Sequence, residues 1–407
     1  MHSNSTDIDY NQNTYIKFSV NLFAEKIVFL LLFNILLIDL IGGYVLSTGN
    51  ETSIMVIYKS ALFVAILYFL RRDTTFLLYI TSILFFSFLL FCFHFINGTG
   101  EYFSSKIILI SRFNLNISVF LFLSNRIKNS QLFFFKLKCL LNFNFIVIFF
   151  SVVLGVFGFG RATYEGADVG SKGFFEGGND IGIAFLAISY FKLSLSYYYK
   201  RPFYQKGFLI TIILITAIAT TTKAIIIGSL VSILFINMYY MQSNVIVKYI
   251  KALSITFILA FVIYQGALIS GIYERLVFVL DLHDFWFIIF SGRNEFASIV
   301  FQQFTKSSLE LKTFGFDQLY NIEMDFFDIL FNFGYIGLIY FLMLFLFIQF
   351  RIRICIIQGK IFASQIRYLF TFIVFIGLIS GHVLFSTQGG LFLFVVTSLI
   401  NVRKIEI

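Results

Sequence analysis

Apolar runs of about twenty residues recur from one end of this chain to the other, and they leave little choice of fold. A run of that length crosses a hydrocarbon core roughly 30 Å thick as a helix. The runs are continuous and do not alternate apolar with polar, so helices are predicted and a barrel is not. Only 13% of the 407 residues are charged and 59% are hydrophobic, whereas soluble domains carry about 25% charged residues. Mean hydropathy is +0.90. The expectation is an all-α, polytopic integral membrane protein, a single membrane domain over residues 1–407 with no separate soluble domain.

Loop charge orders the spans. Runs at about 27–46, 54–70, 74–96, 106–123 and 139–158 are separated by loops that alternate in character. The loops with Glu51 and Glu101 are poor in cations, while Arg71 and Arg72, and then Arg126, Lys128, Lys136 and Lys138, make the others basic. Basic short loops mark the cytoplasmic side. Residues 159–180 carry Arg161 and Lys172 among Glu165, Asp168, Glu176 and Asp180, a net acidic, glycine-rich outer loop. Lys200, Arg201 and Lys206 return the chain inside, and a hairpin over 203–241 turns outward at Thr220–Lys223. After Lys248 and Lys251 a further span reaches about Ser270, and spans near 326–349, 366–385 and 388–402 follow, with Arg403 and Lys404 in the tail. About twelve spans result, with both termini inside. The net charge of +9 resides in these loops and reports orientation, so nucleic acid is not an expected partner. Residues 1–20 are polar and lack the apolar core of a signal peptide, so none is expected. Neither a disulfide framework nor metal-ligand spacing appears among the three cysteines and four histidines.

Against this background one polar stretch stands out, from Gly271 to Asp328, with a main outer loop over 271–325. Its short apolar pieces, Leu276–Leu280 and Phe285–Phe290, cannot cross a bilayer and are expected as interfacial helices; Trp286, the only tryptophan, suits that interface. Charge gathered beside membrane helices is a functional-site hypothesis by default. The candidates all fall at outer helix ends: Arg161, Lys172 and Asn179-Asp180, Lys223 at the hairpin tip, Arg293, the acids Glu323, Asp325 and Asp328, and His382. Cations there can hold an anionic leaving group while a carboxylate or histidine handles protons. Ser291-Gly292 before Arg293 lets the backbone bend around a ligand beside a planar, permanently charged fork, which suits diphosphate. Each residue has a plainer reading. Arg293 and Lys223 can reach lipid headgroups, Arg161 and Lys172 can pair with nearby acids, helix capping accounts for at least one of the three acids, and His382 in an apolar context can be a buried structural histidine.

Several short pieces, in order, resemble the O-antigen polymerase and O-antigen ligase superfamily of bacterial membrane glycosyltransferases. They are Gly177-Gly178-Asn179-Asp180-Ile181-Gly182 opening a span, Thr222-Lys223-Ala224, Ser291-Gly292-Arg293, Glu323-Met324-Asp325 through Gly334-Tyr335-Ile336-Gly337, and Gly381-His382-Val383, which is similar to a late glycine-histidine pair of many polymerases. The resemblance implies a GT-C-type helical fold and transfer of a growing glycan from undecaprenyl diphosphate to a hydroxyl of the next lipid-linked repeat unit, at the outer face of a bacterial inner membrane. It also implies loop arginines on the diphosphate, with Arg293 the best match and Arg161 second. A chain-length regulator and a flippase would be its companions, and no cofactor or metal is called for. Ligases of the superfamily resemble each other in a histidine-asparagine pair late in the large loop, where this chain reads Tyr320-Asn321-Ile322-Glu323. That departure favours a polymerase over a ligase. A flippase or other transporter is the competing class, but transport sites lie near the midplane, and the mid-span Asp39 and His94 are too isolated to define a pathway.

Overall fold

The computed structural model describes residues 23–50, 53–163, 170–241, 285–379 and 381–403, with isolated helical positions at 247, 250, 254, 257, 261, 264, 265 and 268. Glu51, Glu165, Asp168, Lys248, Lys251, His283, Lys404, the segment Leu276–Leu280 and residues 1–20 lie outside them. Helix dominates the described chain. Its only β pairing is two isolated bridges, Arg161 with Gly173 and Met324 with Gly381.

The helices in chain order are α1 (Phe23–Phe33), α2 (Ile35–Ser47), α3 (Ile54–Leu70), α4 (Thr74–Ile96), α5 (Gly100–Asn129), α6 (Gln131–Val156), α7 (Gly178–Tyr198), α8 (Phe203–Thr220) and α9 (Lys223–Tyr240). After the partly described segment come α10 (Phe285–Phe290), α11 (Arg293–Lys306), α12 (Leu309–Phe314), α13 (Asp325–Ile357), α14 (Ala363–Ile379) and α15 (Gly389–Thr397), the last continued by a 3-10 turn at Ser398–Asn401. Among the described residues, seven helices are long and apolar enough to cross a membrane, and eight if α1 and α2, bent by 47° at Asn34, form one span. The apolar helices α3, α14 and α15 are shorter. About twelve spans were expected; the span after Lys248 and Lys251 falls mostly outside the described residues. Phe285–Phe290, expected as an interfacial helix, is helical (α10), and α11 and α12 fill much of the remaining described loop.

Burial sorts these helices by role. In α7 every residue from Ile181 to Phe191 is buried, as is all of α15, the mark of helices enclosed by others. α7 lies at the centre, with α9 against one side and α15 against another, and α5 packs beyond α15. α4 instead exposes Leu78, Leu84, Phe85 and Phe88, as a helix does whose outer face meets lipid.

The break in α13 fixes the loop above it. Gly334 departs from helical geometry at φ 64°, and a Cβ there would collide with the Thr313 backbone, just as one on Gly315 (φ 90°) would collide with Asn332 and Phe333. Two glycines let two backbones interlock, which side chains would forbid. The carbonyl of Phe331, freed by the break, accepts from Phe316 N at 2.8 Å.

Candidate active site

Segments far apart in sequence meet at one end of the bundle around a cavity of about 450 Å³. Its walls carry Lys59, Arg112, Lys223, Arg293 and His382 together with Glu176, Asp180 and Glu323, and also Gly177, Gly178 and Ser291. Three helices begin on it, α7 at Gly178, α9 at Lys223 and α11 at Arg293, and none of the three has a side-chain cap. Helix starts present unpaired N–H groups and the positive end of the dipole. Cations and helix starts facing one cavity make a receptor for a multiply charged anion.

The loop wall is held by backbone geometry. Ser291 (φ 56°) and Gly292 (φ 77°) are both left-handed and turn the chain from α10 into α11, with Gly292 N donating to Phe287 O at 3.1 Å. A serine in that region is strained, and its hydroxyl receives Lys223 Nζ at 3.0 Å. Arg293 turns both Nε and Nη2 onto Oε2 of Glu323. Glu323 is itself left-handed at φ 60° and is fixed by Gly381 N, which donates to its carbonyl at 2.7 Å. Its side chain remains 45% exposed.

The three acids differ sharply. Asp328, buried, accepts from Ile322 N at 2.7 Å and Met324 N at 3.1 Å, so it shapes the turn that presents Glu323. Asp325, fully buried, accepts from Val383 N at 3.1 Å and Leu384 N at 3.0 Å, anchoring the strap between α14 and α15. Asn332 adds a clamp, accepting from Tyr320 N at 2.8 Å and donating to Tyr320 O at 2.7 Å. Asp325 and Asp328 therefore hold backbone, and of the three acids Glu323 alone lines the cavity.

His382 lies on the strap with Nδ1 3.1 Å from Asp328 Oδ2 and Nε2 against Asn321 Oδ1. Burial alone would lower its pKa, but the hydrogen bond and charge of Asp328, then the charges of Asp325 and Asp180, raise it above the ordinary histidine value. With an acceptor facing each ring nitrogen, the imidazolium is the favoured form. The strap is pinned from behind by Asn116, whose Nδ2 donates to Leu384 O and Ser386 O at 3.1 and 3.0 Å.

Of the residues singled out from sequence, Asn179, Lys223, Ser291, Arg293, Glu323 and His382 line the cavity, and Gly292 supplies its turn. Arg161 and Lys172 do not line it. They sit on the two arms of a small backbone bridge, Arg161 N donating to Gly173 O at 2.7 Å and Lys172 N to Arg161 O at 3.1 Å, and Lys172 is buried. Sequence reading missed Lys59, Arg112 and Glu176 as cavity residues, whereas Asp180, grouped with Asn179 among the outer polar residues, does line it. Asp39, set aside as isolated, lies 2.7 Å from Lys59 Nζ. A signal was available: Asp39 and Lys59 are opposite charges inside successive apolar runs joined by a short turn, as in an antiparallel pair.

Residues 274–406, about a third of the chain, match the family described as O-antigen ligase like membrane protein. The match supports the O-antigen polymerase and ligase superfamily. It covers Ser291, Arg293, Glu323 and His382 but not Lys59, Arg112, Asp180 or Lys223, so the cavity reaches beyond the matched region. No curated protein and no solved structure matches. Together with the apolar helices, the match supports a membrane protein similar over this region to an enzyme superfamily.

Proposed function

We propose that this protein is a polysaccharide repeat-unit polymerase, transferring a growing glycan from a polyprenyl diphosphate to a hydroxyl of the next lipid-linked repeat unit at the outer face of a bacterial inner membrane. One observation carries it: cations from four segments and three uncapped helix starts face one cavity that also contains a half-exposed carboxylate. A sugar leaving diphosphate needs its charge neutralised, and the sugar lipid carries its own leaving group, so no nucleotide is required. Arg293, Lys223 and the His382 imidazolium would hold the departing diphosphate. Glu323 would take the proton of the attacking hydroxyl as the anomeric carbon–oxygen bond to diphosphate breaks, inverting that centre. Arg293 keeps Glu323 aimed.

A second reading has its own support. The histidine missing beside Asn321 in sequence is supplied in space by His382, which restores a histidine-asparagine contact at the cavity. That contact and the wording of the family match favour ligation of a finished glycan to an acceptor lipid over polymerisation. The surface polysaccharide of a deletion strain separates the two. A polymerase leaves single repeat units in place of long chains, and a ligase leaves long chains stranded on the carrier. Normal long-chain polysaccharide in a strain without a second such enzyme overturns both.

A further inference from the structure

Above the break at Gly334, residues 325–333 of α13 and the loop that precedes them form one unit. Phe316 N donates to Phe331 O at 2.8 Å, Asn332 clamps Tyr320, and Asp328 accepts from Ile322 N at 2.7 Å. Glu323 sits at the end of that loop and moves with it. Below the break α13 is packed on α4, where the Phe86 and Tyr340 rings stack at 4.6 Å. The upper unit has polar ties to α5 instead. One runs through the strap, from Asp325 to Leu384 N and from Leu384 O to Asn116. The other is Lys106, ten residues earlier on α5 and about 15 Å away at 1.5 Å per residue. Arg112, which lines the cavity, lies between them on the same helix.

Lys106 is fully buried, and so is His94 near the end of α4. Lys106 Nζ donates to Phe316 O at 2.5 Å and meets His94 Nε2 at 3.1 Å. As an ammonium Lys106 has only donors, so His94 Nε2 accepts and the imidazole proton sits on Nδ1. Nδ1 then donates to Thr99 Oγ1 at 2.8 Å, and that hydroxyl donates to Asp317 Oδ1 at 3.4 Å. The chain of donors starts on the carbonyl of Phe316 and closes on the next residue, whose carboxylate attracts the Lys106 charge. None of these four side chains lines the cavity.

Stability alone does not call for a lysine here. A lysine near a membrane helix end ordinarily extends its ammonium to water, and apolar side chains in place of a buried charge pair are often neutral or stabilising. Apolar fastening also exists at this very place, since Phe93 stacks on Phe314 with ring centroids 4.8 Å apart. What the ammonium adds is direction. An apolar contact lets the loop slide and turn, whereas a hydrogen bond to one carbonyl, from a nitrogen itself aimed by His94, fixes a single peptide plane. With the strap tie alone the upper unit could pivot. Two ties on one helix fix its orientation.

We propose that Lys106, aimed by His94, is a positioning residue for glycan transfer: through the carbonyl of Phe316 it holds Glu323 at a fixed place opposite the cations of the span wall. The diphosphate is held by cations on helices that Lys106 does not move, so substrate binding does not depend on it. The proton transfer to Glu323 does, because a misplacement of about 1 Å costs about 100-fold in rate. The proposal rests on the lipid-diphosphate reading of the site and on Glu323 as its proton acceptor.

The test follows turnover by the full-length protein in phospholipid nanodiscs, supplied with glycan-linked undecaprenyl diphosphate extracted together with the other membrane lipids of the deletion strain. For Lys106→Met, kcat is expected to fall about 10- to 100-fold while KM for the lipid-linked glycan stays within about threefold of wild type. A lysine with only a structural role would lower the melting temperature and leave kcat unchanged well below it, and that result overturns the proposal. His94→Leu removes the acceptor that aims Lys106 and should lose a similar factor. His94→Gln, whose amide oxygen can accept again, should recover most of kcat. This pair decides if Lys106→Met does not fold. Equal kcat in the two histidine variants, or a loss carried by KM alone, overturns the positioning role and leaves the reading of the cavity standing. If the wild-type protein turns over no polyprenyl-diphosphate substrate, the lipid-diphosphate reading falls and the positioning role with it.

Discussion

The cavity has two walls of different origin. The loop wall, Ser291, Arg293 and Glu323, is built from strained backbone pinned by hydrogen bonds: two left-handed non-glycine residues, a bridge from Met324 to Gly381, and buried acids that accept from backbone N–H groups. The span wall, Lys59, Arg112 and Asp180, sits on α3, α5 and α7, whose depth and packing place each charge. On the loop wall, position depends on a few buried acceptors, so a small change there displaces a functional group. On the span wall, position is a property of whole helices, and a side-chain change removes charge without moving backbone.

That difference can be broken experimentally. The largest effect is expected at the loop wall's own cation. Arg293→Ala should lower glycan transfer by about 100- to 1,000-fold, the usual cost of removing a charge-stabilising donor, with membrane protein levels kept. Arg293→Lys keeps the charge and loses the fork, so it should recover part of that loss. Near-normal chain length in the alanine variant, read from the polysaccharide profile, would assign Arg293 to structure.

Next is Asp325→Ala, which orphans the buried N–H groups of Val383 and Leu384 at about 1–3 kcal/mol each. Its melting temperature in detergent should fall clearly, while Arg112→Gln, on the span wall, should melt close to wild type. Equal losses in the two variants would erase the distinction between the walls.

The smallest effect is the pH dependence of the strap. The folded-state pKa of His382 is raised by Asp328, so its stabilising contribution is fully present below the unfolded histidine value of about 6.5 and is lost as pH rises through the raised folded value. The gap in melting temperature between wild type and His382→Gln should therefore shrink on going from pH 6 to pH 9. A gap that is constant or grows with pH would mean that His382 is held neutral.

Much of the architecture was legible in the sequence because lipid imposes simple rules. Continuous apolar runs require helices, and the polar residues between them mark loops. Lys223, Ser291, Arg293 and His382 drew attention because each interrupts or borders an apolar run with functional chemistry. The division of labour among Glu323, Asp325 and Asp328 was not legible, since three carboxylates within six residues look equivalent until their hydrogen-bond partners are known. Those partners are backbone N–H groups, including two on a strap almost sixty residues away.

By itself the sequence determined a helical membrane protein with its polar chemistry at helix ends and an arginine after Ser-Gly in the largest polar stretch. Only the tertiary structure decided that Lys59 and Arg112 line the same cavity, that Arg161 and Lys172 shape a backbone bridge and do not line it, and that His382 stands beside Asn321. The physical reason is that a single charge inside an apolar run carries no information about its partner. Helix packing supplies the partner by fixing relative depth and facing, as the packing of α2 on α3 does for Asp39 and Lys59.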